Sequence, residues 1–377
     1  MRTSYRTLHV ALALTSIVLL ASVADAQQGT ATAGAPAFLN RQEGDYVIKN
    51  YRFRSGGTLP EVRLHFTTVG TPLRDASGKI RNGVIIMHGS SGNSSQVLAA
   101  SFIGPLIGPG QPLDQTKHFL IFPDAVGNAK STAPSDGLRA KFPKYGYLDM
   151  VDLEHRLITE HFGIDRLRIV MGISMGGMHS WLWGELYPDK MDAIVALSSL
   201  PVKISGRNLM WRRTLSNAIR TDPAWNGGNY TEKPRGFLNI MPMFEMLVQS
   251  PLRLAESLQT YDQADEAVRD GVEEADEEDD ANNILYRFEA SFDYNPGPDL
   301  GKITAPAFAI LFEDDTLNPP ELGVIEREMP KIRNGSYVMI PAGPTSRGHR
   351  GQVHAVMWRE HLAKFLATVP PLPADVK

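Results

Sequence analysis

The chain has no cysteine, which excludes disulfides, thiolate nucleophiles, zinc–thiolate sites and iron–sulfur clusters together. A basic excess is also missing. Against 42 Asp+Glu there are 38 Lys+Arg, a net charge of -4, which argues against nucleic acid as a partner. Long apolar runs are absent after the first 26 residues, so no membrane span is expected there. Whole-chain disorder is excluded by 42% hydrophobic and 21% charged residues, a composition that supports a core. The length of 377 residues allows one large domain or two ordinary ones. The 33 Gly and 26 Pro point to many turns.

Residues 1–26 read as a secretory signal. Arg2 and Arg6 form a basic start, Val10 to Leu20 an apolar run, and Ala24-Asp25-Ala26 a small-x-small cleavage site. That run is about half the ~20 residues a spanning helix needs. Cleavage after Ala26 and a periplasmic or secreted location are the expectation. Residues 27–44 are expected to be a flexible lead-in.

In the remaining chain, short β-branched runs alternate with helical patterns. Glu61 to Val69 alternates with period two; Gly83 to Met87, Phe119 to Phe122, Arg168 to Met171, Ala193 to Leu197, Ala307 to Phe312 and Tyr337 to Ile340 are further strand candidates. Helices are expected over Asp149 to Phe162, over Met175 to Tyr187, and at the C-terminus, with Val356, Leu362, Phe365 and Leu366 facing inward. The pattern predicts an α/β fold: a mostly parallel sheet covered on both faces. Over 201–300 the alternation stops, which marks a helical insertion between core segments 45–200 and 301–377. The acidic run Glu273 to Asp280 lacks the glycine and spacing of a calcium loop and reads as a solvated face.

Gly172-Ile-Ser174-Met-Gly176 sits between a predicted strand and a predicted helix, where a nucleophile elbow belongs. Gly172 and Gly176 leave room for the tight turn. The helix after Ser174 presents its N-terminal N–H groups to developing negative charge. A serine needs a base. His349 lies in a Gly/Pro/Ser/Thr/Arg loop after the last predicted strand, whereas His354 and His361 fall at and within the terminal helix; His118, His155, His161 and His179 read as surface or packing residues. The acid expected to orient the base is Asp315, with Asp314 beside it as the alternative, because Phe312 to Pro320 follows a strand and gives the chain order Ser, Asp, His. Two oxyanion donors are expected: the backbone N–H groups of Met175 and of Ser90 in His88-Gly-Ser-Ser-Gly92. His88 then braces that loop.

Together these residues resemble the α/β-hydrolase fold, and within it the homoserine O-acetyltransferase-like branch. The resemblance rests on Phe53 to Pro60 with His65 to Gly70, the His88 loop, Gly172 to Met178, Tyr187-Pro-Asp189, Asp315 to Pro320, and Ala218 to Tyr230 within the insertion. It implies a helical cap over the sheet edge, and a homodimer through that cap. No metal or organic cofactor is implied. The chain departs from the branch at two places. Met241 stands where the transferases carry an arginine for the amino-acid carboxylate, with Glu245 where a His is usual. The usual Gly-His-Asp-Ala-Phe ending is Gly348-His-Arg-Gly-Gln352. A methionine cannot pair with a carboxylate, and a nearby glutamate repels one. Water is therefore the expected acyl acceptor, and an exported serine hydrolase acting on a small-molecule ester the expected function. Alternatives are an acyltransferase with the same three residues, and a non-catalytic binding protein on this scaffold. Trp211, Trp225, Phe237, Met241, Met243, Phe244 and Met246 make the cap apolar.

Overall fold

Five short apolar runs are buried at every position: β3 (Gly83–Met87), β4 (Phe119–Pro123), β5 (Ile169–Ile173), β6 (Ile194–Leu197) and β7 (Ala307–Phe312). Only strands covered on both faces can be apolar throughout. In the computed structural model, which describes residues 37–278, 280–372 and 376–377, they form the centre of an eight-stranded sheet of order β1-β2-β4-β3-β5-β6-β7-β8. β8 is Gly335–Ile340, and every pairing from β4 to β8 is parallel. β1 (Gln42–Arg52) and β2 (Thr58–Val69) add an antiparallel edge. The expected secretory signal lies outside the described residues.

The helices follow in chain order. α1 (Ser94–Leu98), α2 (Ala100–Ile107), α3 (Tyr147–Arg156) and α4 (Met175–Leu186) precede the insertion. The insertion folds as α5 (Gly206–Arg220), α6 (Arg235–Val248), α7 (Pro251–Ser257), α8 (Tyr261–Glu278) and α9 (Ala281–Glu289). α10 (Val324–Glu328) and α11 (Arg359–Leu366) complete the core. One sheet face packs on α3 and α4 through Met150, Leu153, Trp181, Leu182 and Trp183. The other packs on α2 and α11 through Phe102, Ile103, Leu106, Leu362 and Phe365. The insertion has its own small core of Trp211, Leu215, Phe237, Ile284 and Phe288. Among the described residues no helix is long and apolar enough to cross a membrane.

Three expectations need correction. The lead-in does not reach residue 44: Gln42 is already paired with Thr68, and Gln115 ties down the chain before it, accepting from Leu39 N at 2.8 Å and donating to Ala37 O at 3.0 Å. β2 starts at Thr58 rather than Glu61. Val356 does not face inward. It is 66% exposed, because Ala355–Met357 is a tight 3-10 turn whose rotation per residue puts it out of phase with α11.

Candidate active site

The turn after β5 explains its own glycines. Ser174 has φ 50 and ψ -110, a conformation that costs a non-glycine residue on the order of 1–3 kcal/mol. It is held there by its N–H donating to Leu197 O at 2.9 Å and by the start of α4, where Met178 N donates to Ser174 O. The chain doubles back so closely that a Cβ on Gly172 would sit 2.2 Å from the Gly176 carbonyl. A Cβ on Gly176 would sit 2.3 Å from Met87 O. Only hydrogen fits at either position.

Ser174 follows β5, Asp315 follows β7 and His349 follows β8, so all reach the same sheet edge, at the carboxyl ends of parallel strands. The structure brings them into one line. His349 Nδ1 lies 2.7 Å from Asp315 Oδ2, and His349 Nε2 lies 2.9 Å from Ser174 Oγ. Nδ1 donates to the carboxylate, which leaves Nε2 to accept from the hydroxyl. Asp315 is well tethered: Oδ1 accepts from Leu317 N at 2.9 Å and Asn318 N at 3.1 Å, and Oδ2 accepts from Asn318 Nδ2 at 3.0 Å. Burial alone would raise its carboxyl pKa, but the His349 charge and the hydrogen bonds from His349 and Asn318 outweigh this and hold it below the ordinary carboxylate value. Asp314 points elsewhere. Its Oδ2 accepts from Gly348 N at 2.9 Å, so it braces the loop that carries the imidazole.

The loop after β3 runs beside the serine. A Cβ on Gly89 would lie 3.4 Å from Ser174 Cβ. Gly89 N is committed to Gln96 Oε1 at 2.9 Å and Gly176 N to His88 O at 3.0 Å. Ser90 and Met175, the neighbours of these two, are left to supply N–H groups, and Ser90 lines the cleft that holds Ser174. His88 is buried; its Nδ1 donates to Gly89 O at 2.8 Å and its Nε2 accepts from Ala125 N at 3.1 Å. Burial, the largest influence, pushes its pKa down, which suits a neutral loop brace. His179 is also buried, with Nδ1 2.8 Å from Glu154 Oε1, and His155 stacks on Tyr187 at 3.8 Å. Both belong to packing.

The insertion roofs the site. A cleft of about 570 Å³, its open mouth included, is lined by Ser174 and His349 below and by Asn208, Trp211 and Arg212 of α5, Phe244 of α6 and Phe288 of α9 above. Trp211 stacks on Phe244 at 5.3 Å. The other cap residues singled out from the sequence divide differently: Trp225 and Phe237 fill the cap's own core, and Met243 and Met246 face solvent. Met241 lines an adjoining chamber. Glu245 is not the bare repulsive charge expected of it, because the Arg350 guanidinium contacts its carboxylate through both Nε and Nη2. Sequence reasoning missed Arg212. It is 5% exposed, donates to Asn208 Oδ1 at 2.9 Å, Phe288 O at 3.1 Å and Ser291 Oγ at 3.2 Å, and forms no ion pair among the described residues. Nothing in its local sequence distinguishes it from Arg213, which pairs with Glu289 on the surface. Of the acidic run Glu273 to Asp280, Glu273, Glu274, Asp276 and Glu277 lie exposed on α8.

The alpha/beta hydrolase fold family matches residues 83–325. A homoserine O-acetyltransferase from Trichormus variabilis is 31% identical over 75% of this chain and 83% of its own length. A probable acyltransferase from Methanothermobacter thermautotrophicus is 29% identical over 74% of this chain and 85% of its own length. Among solved structures, homoserine O-acetyltransferase from Bacillus anthracis superposes with a TM-score of 0.76 at 22% identity, covering 88% of this chain and 99% of that one. An acetylester hydrolase from Corynebacterium glutamicum gives 0.73 at 20% identity, over 87% and 96%. At these identities the two structures speak for the fold alone.

Proposed function

Because the chain belongs to the alpha/beta hydrolase fold family and, within it, to the homoserine O-acetyltransferase-like branch, we propose that it carries acyl groups through a covalent ester on Ser174. The observation that carries this reading is the unbroken line from Asp315 through His349 to Ser174, with separations of 2.7 and 2.9 Å. Ser174 Oγ attacks the carbonyl carbon of the donor while His349 Nε2 takes its proton. Asp315 holds the ring in the tautomer that can accept and stabilises the imidazolium. The N–H groups of Ser90 and Met175 receive the oxyanion. When the tetrahedral intermediate collapses, the leaving alcohol or thiol takes the proton from His349. An acceptor O–H then gives its proton to Nε2 and attacks the acyl-enzyme, and Ser174 recovers its proton as the product departs.

The acceptor decides between transferase and hydrolase. The relatives just named favour transfer to a hydroxyl-bearing acceptor. Within the cleft this reading is supported by Arg212, a buried cation without an acidic partner among the described residues, and by Arg350, which offsets the charge of Glu245. Hydrolysis is the second reading. It is supported by Met241, which offers a carboxylate nothing, and by the leader-like first 26 residues, which imply export away from acetyl-CoA. Ser174→Ala tests what both share: p-nitrophenyl acetate turnover at the wild-type rate rejects this site. Product analysis with an acyl donor and excess homoserine separates them, since acyl-homoserine formed faster than free acid establishes transfer, and free acid alone establishes hydrolysis.

A further inference from the structure

Two of the residues that depart from the branch's pattern, Glu245 and Arg350, lie 105 residues apart in the chain yet meet in the fold. Arg350 Nε donates to Glu245 Oε2 at 3.1 Å, and Arg350 Nη2 contacts Glu245 Oε1. This fork-on-carboxylate geometry fixes orientation as well as distance. Glu245 sits in the last turn of α6, and Arg350 immediately follows His349. Read singly, one substitution looks repulsive and the other unexplained. Together they are a single ion pair between cap and core.

The same end of α6 touches both loops that carry the reactive side chains. Thr316 Oγ1, next to Asp315, donates to Leu247 O at 2.7 Å. Gly348, next to His349 and at φ 60, packs so tightly that a Cβ would lie 2.7 Å from the Gln249 carbonyl and Ser250 N. Arg350 lines both the reactive cleft and the adjoining chamber, as do Ser91, Gln96 and Phe244.

We propose that the Glu245–Arg350 pair is a positioning latch: it pins the cap helix to the loop carrying His349 and thereby keeps the imidazole within hydrogen-bond reach of Ser174. The pair acts through His349 and touches no reacting atom. Its side chains are 35% and 40% exposed, so water and salt compete for it and the fold does not hang on it. The proposal rests on the acyl-enzyme reading. Failure of that reading shows up separately, as a Ser174 that a fluorophosphonate does not label.

The test uses the full chain and p-nitrophenyl acetate. Glu245→Gln and Arg350→Gln should each lower kcat about two- to fivefold, the range a half-exposed ion pair can supply, with KM unchanged. Combining Glu245→Arg with Arg350→Glu should restore kcat. Raising ionic strength should bring wild-type kcat down to that of the single variants and leave theirs unmoved. Single variants with wild-type kcat overturn the latch, as does a loss confined to KM, or an exchanged variant that melts like wild type yet stays slow. If the exchanged variant does not fold, the salt dependence decides alone: a wild type as insensitive to salt as the single variants overturns the proposal.

Discussion

Replacing the Asp315 carboxylate by an amide (Asp315→Asn) changes one atom and should nearly abolish turnover, for a reason legible in its hydrogen bonds. Oδ1 accepts from two backbone N–H groups, those of Leu317 and Asn318, so the new amide must keep its oxygen there. Its NH2 is then forced into the place of Oδ2, facing His349 Nδ1 and Asn318 Nδ2. Donors now meet donors. The imidazole relieves the clash only by moving its proton to Nε2, where it can no longer accept from Ser174. The imidazolium also loses its counter-charge in a buried site, Asp315 being 2% exposed. Wrong tautomer and lost charge together should cost roughly 10³–10⁴ in kcat/KM, or about 4–5 kcal/mol of transition-state stabilisation. The assay is p-nitrophenyl acetate hydrolysis, with circular dichroism melting to show that the variant is folded. A folded variant within tenfold of wild type would refute the reasoning. Melting supplies an independent arm. The folded carboxyl lies below its ordinary value, so its pairing contributes stability above about pH 3.9 and loses it as pH falls through the depressed folded value. The gap between wild-type and variant melting temperatures should therefore close in acid.

Asp314→Ala should be far milder, about tenfold in kcat, because it removes only the brace on Gly348 N and lets the His349 loop shift by a fraction of the ~1 Å that costs 10²-fold; a loss as deep as that of the Asp315 variant would exchange their roles. Gly172→Ala drives a Cβ to 2.2 Å from the Gly176 carbonyl, and should cost on the order of 3 kcal/mol or more along with activity, read by urea denaturation. Glu185 is pushed up to about 7, first by burial and then by Asp299. An acid raised in the fold binds its proton more tightly there than in the unfolded chain, so it erodes stability as pH climbs from about 4.5 to 7. Glu185→Gln should accordingly melt above wild type at about pH 8 and level with it at about pH 4; equal melting at both would remove the raised carboxyl.

The sheet edge was legible because its signals are local. Gly172, Ser174 and Gly176 lie within one turn, and the acid and base each follow an apolar run that reads as a strand in any context. The choice between Asp314 and Asp315 is also set locally, since the peptide N–H groups two and three residues on fix which carboxylate turns inward. Contacts across the chain were not legible. Glu245 as a lone residue is a repulsive charge, and only the fold supplies Arg350. Arg212 and Arg213 are identical letters side by side, and the helix rotation of about 100° between them sends one into the cleft and the other to Glu289. Val356 shows the converse: a helical period carried through the 3-10 turn Ala355–Met357 points it inward, but the phase of that turn differs from that of α11.

This partition bears on how the acceptor is chosen. On the acyl-enzyme reading proposed above, the reacting groups come from the ends of β3, β5, β7 and β8, on loops bound into the sheet. The rest of the cleft wall is shared between α5, α6 and α9 of the inserted segment, which has its own core, and core residues such as Gln96, Leu317, Gln352 and Val353. On the proposed reading, a change at a cap residue that lines the cleft away from the His349 loop, such as Phe288, alters how an acceptor is received and leaves the activation of Ser174 in place. Swapping cap residues one at a time underestimates the effect wherever two of them form a unit. Arg350, in the core, is matched to Glu245, in the cap, so a cap exchanged without its core partner leaves a guanidinium unpaired beside His349 and slows every acceptor alike. Slowing of one acceptor alone would mean instead that the guanidinium meets the substrate directly.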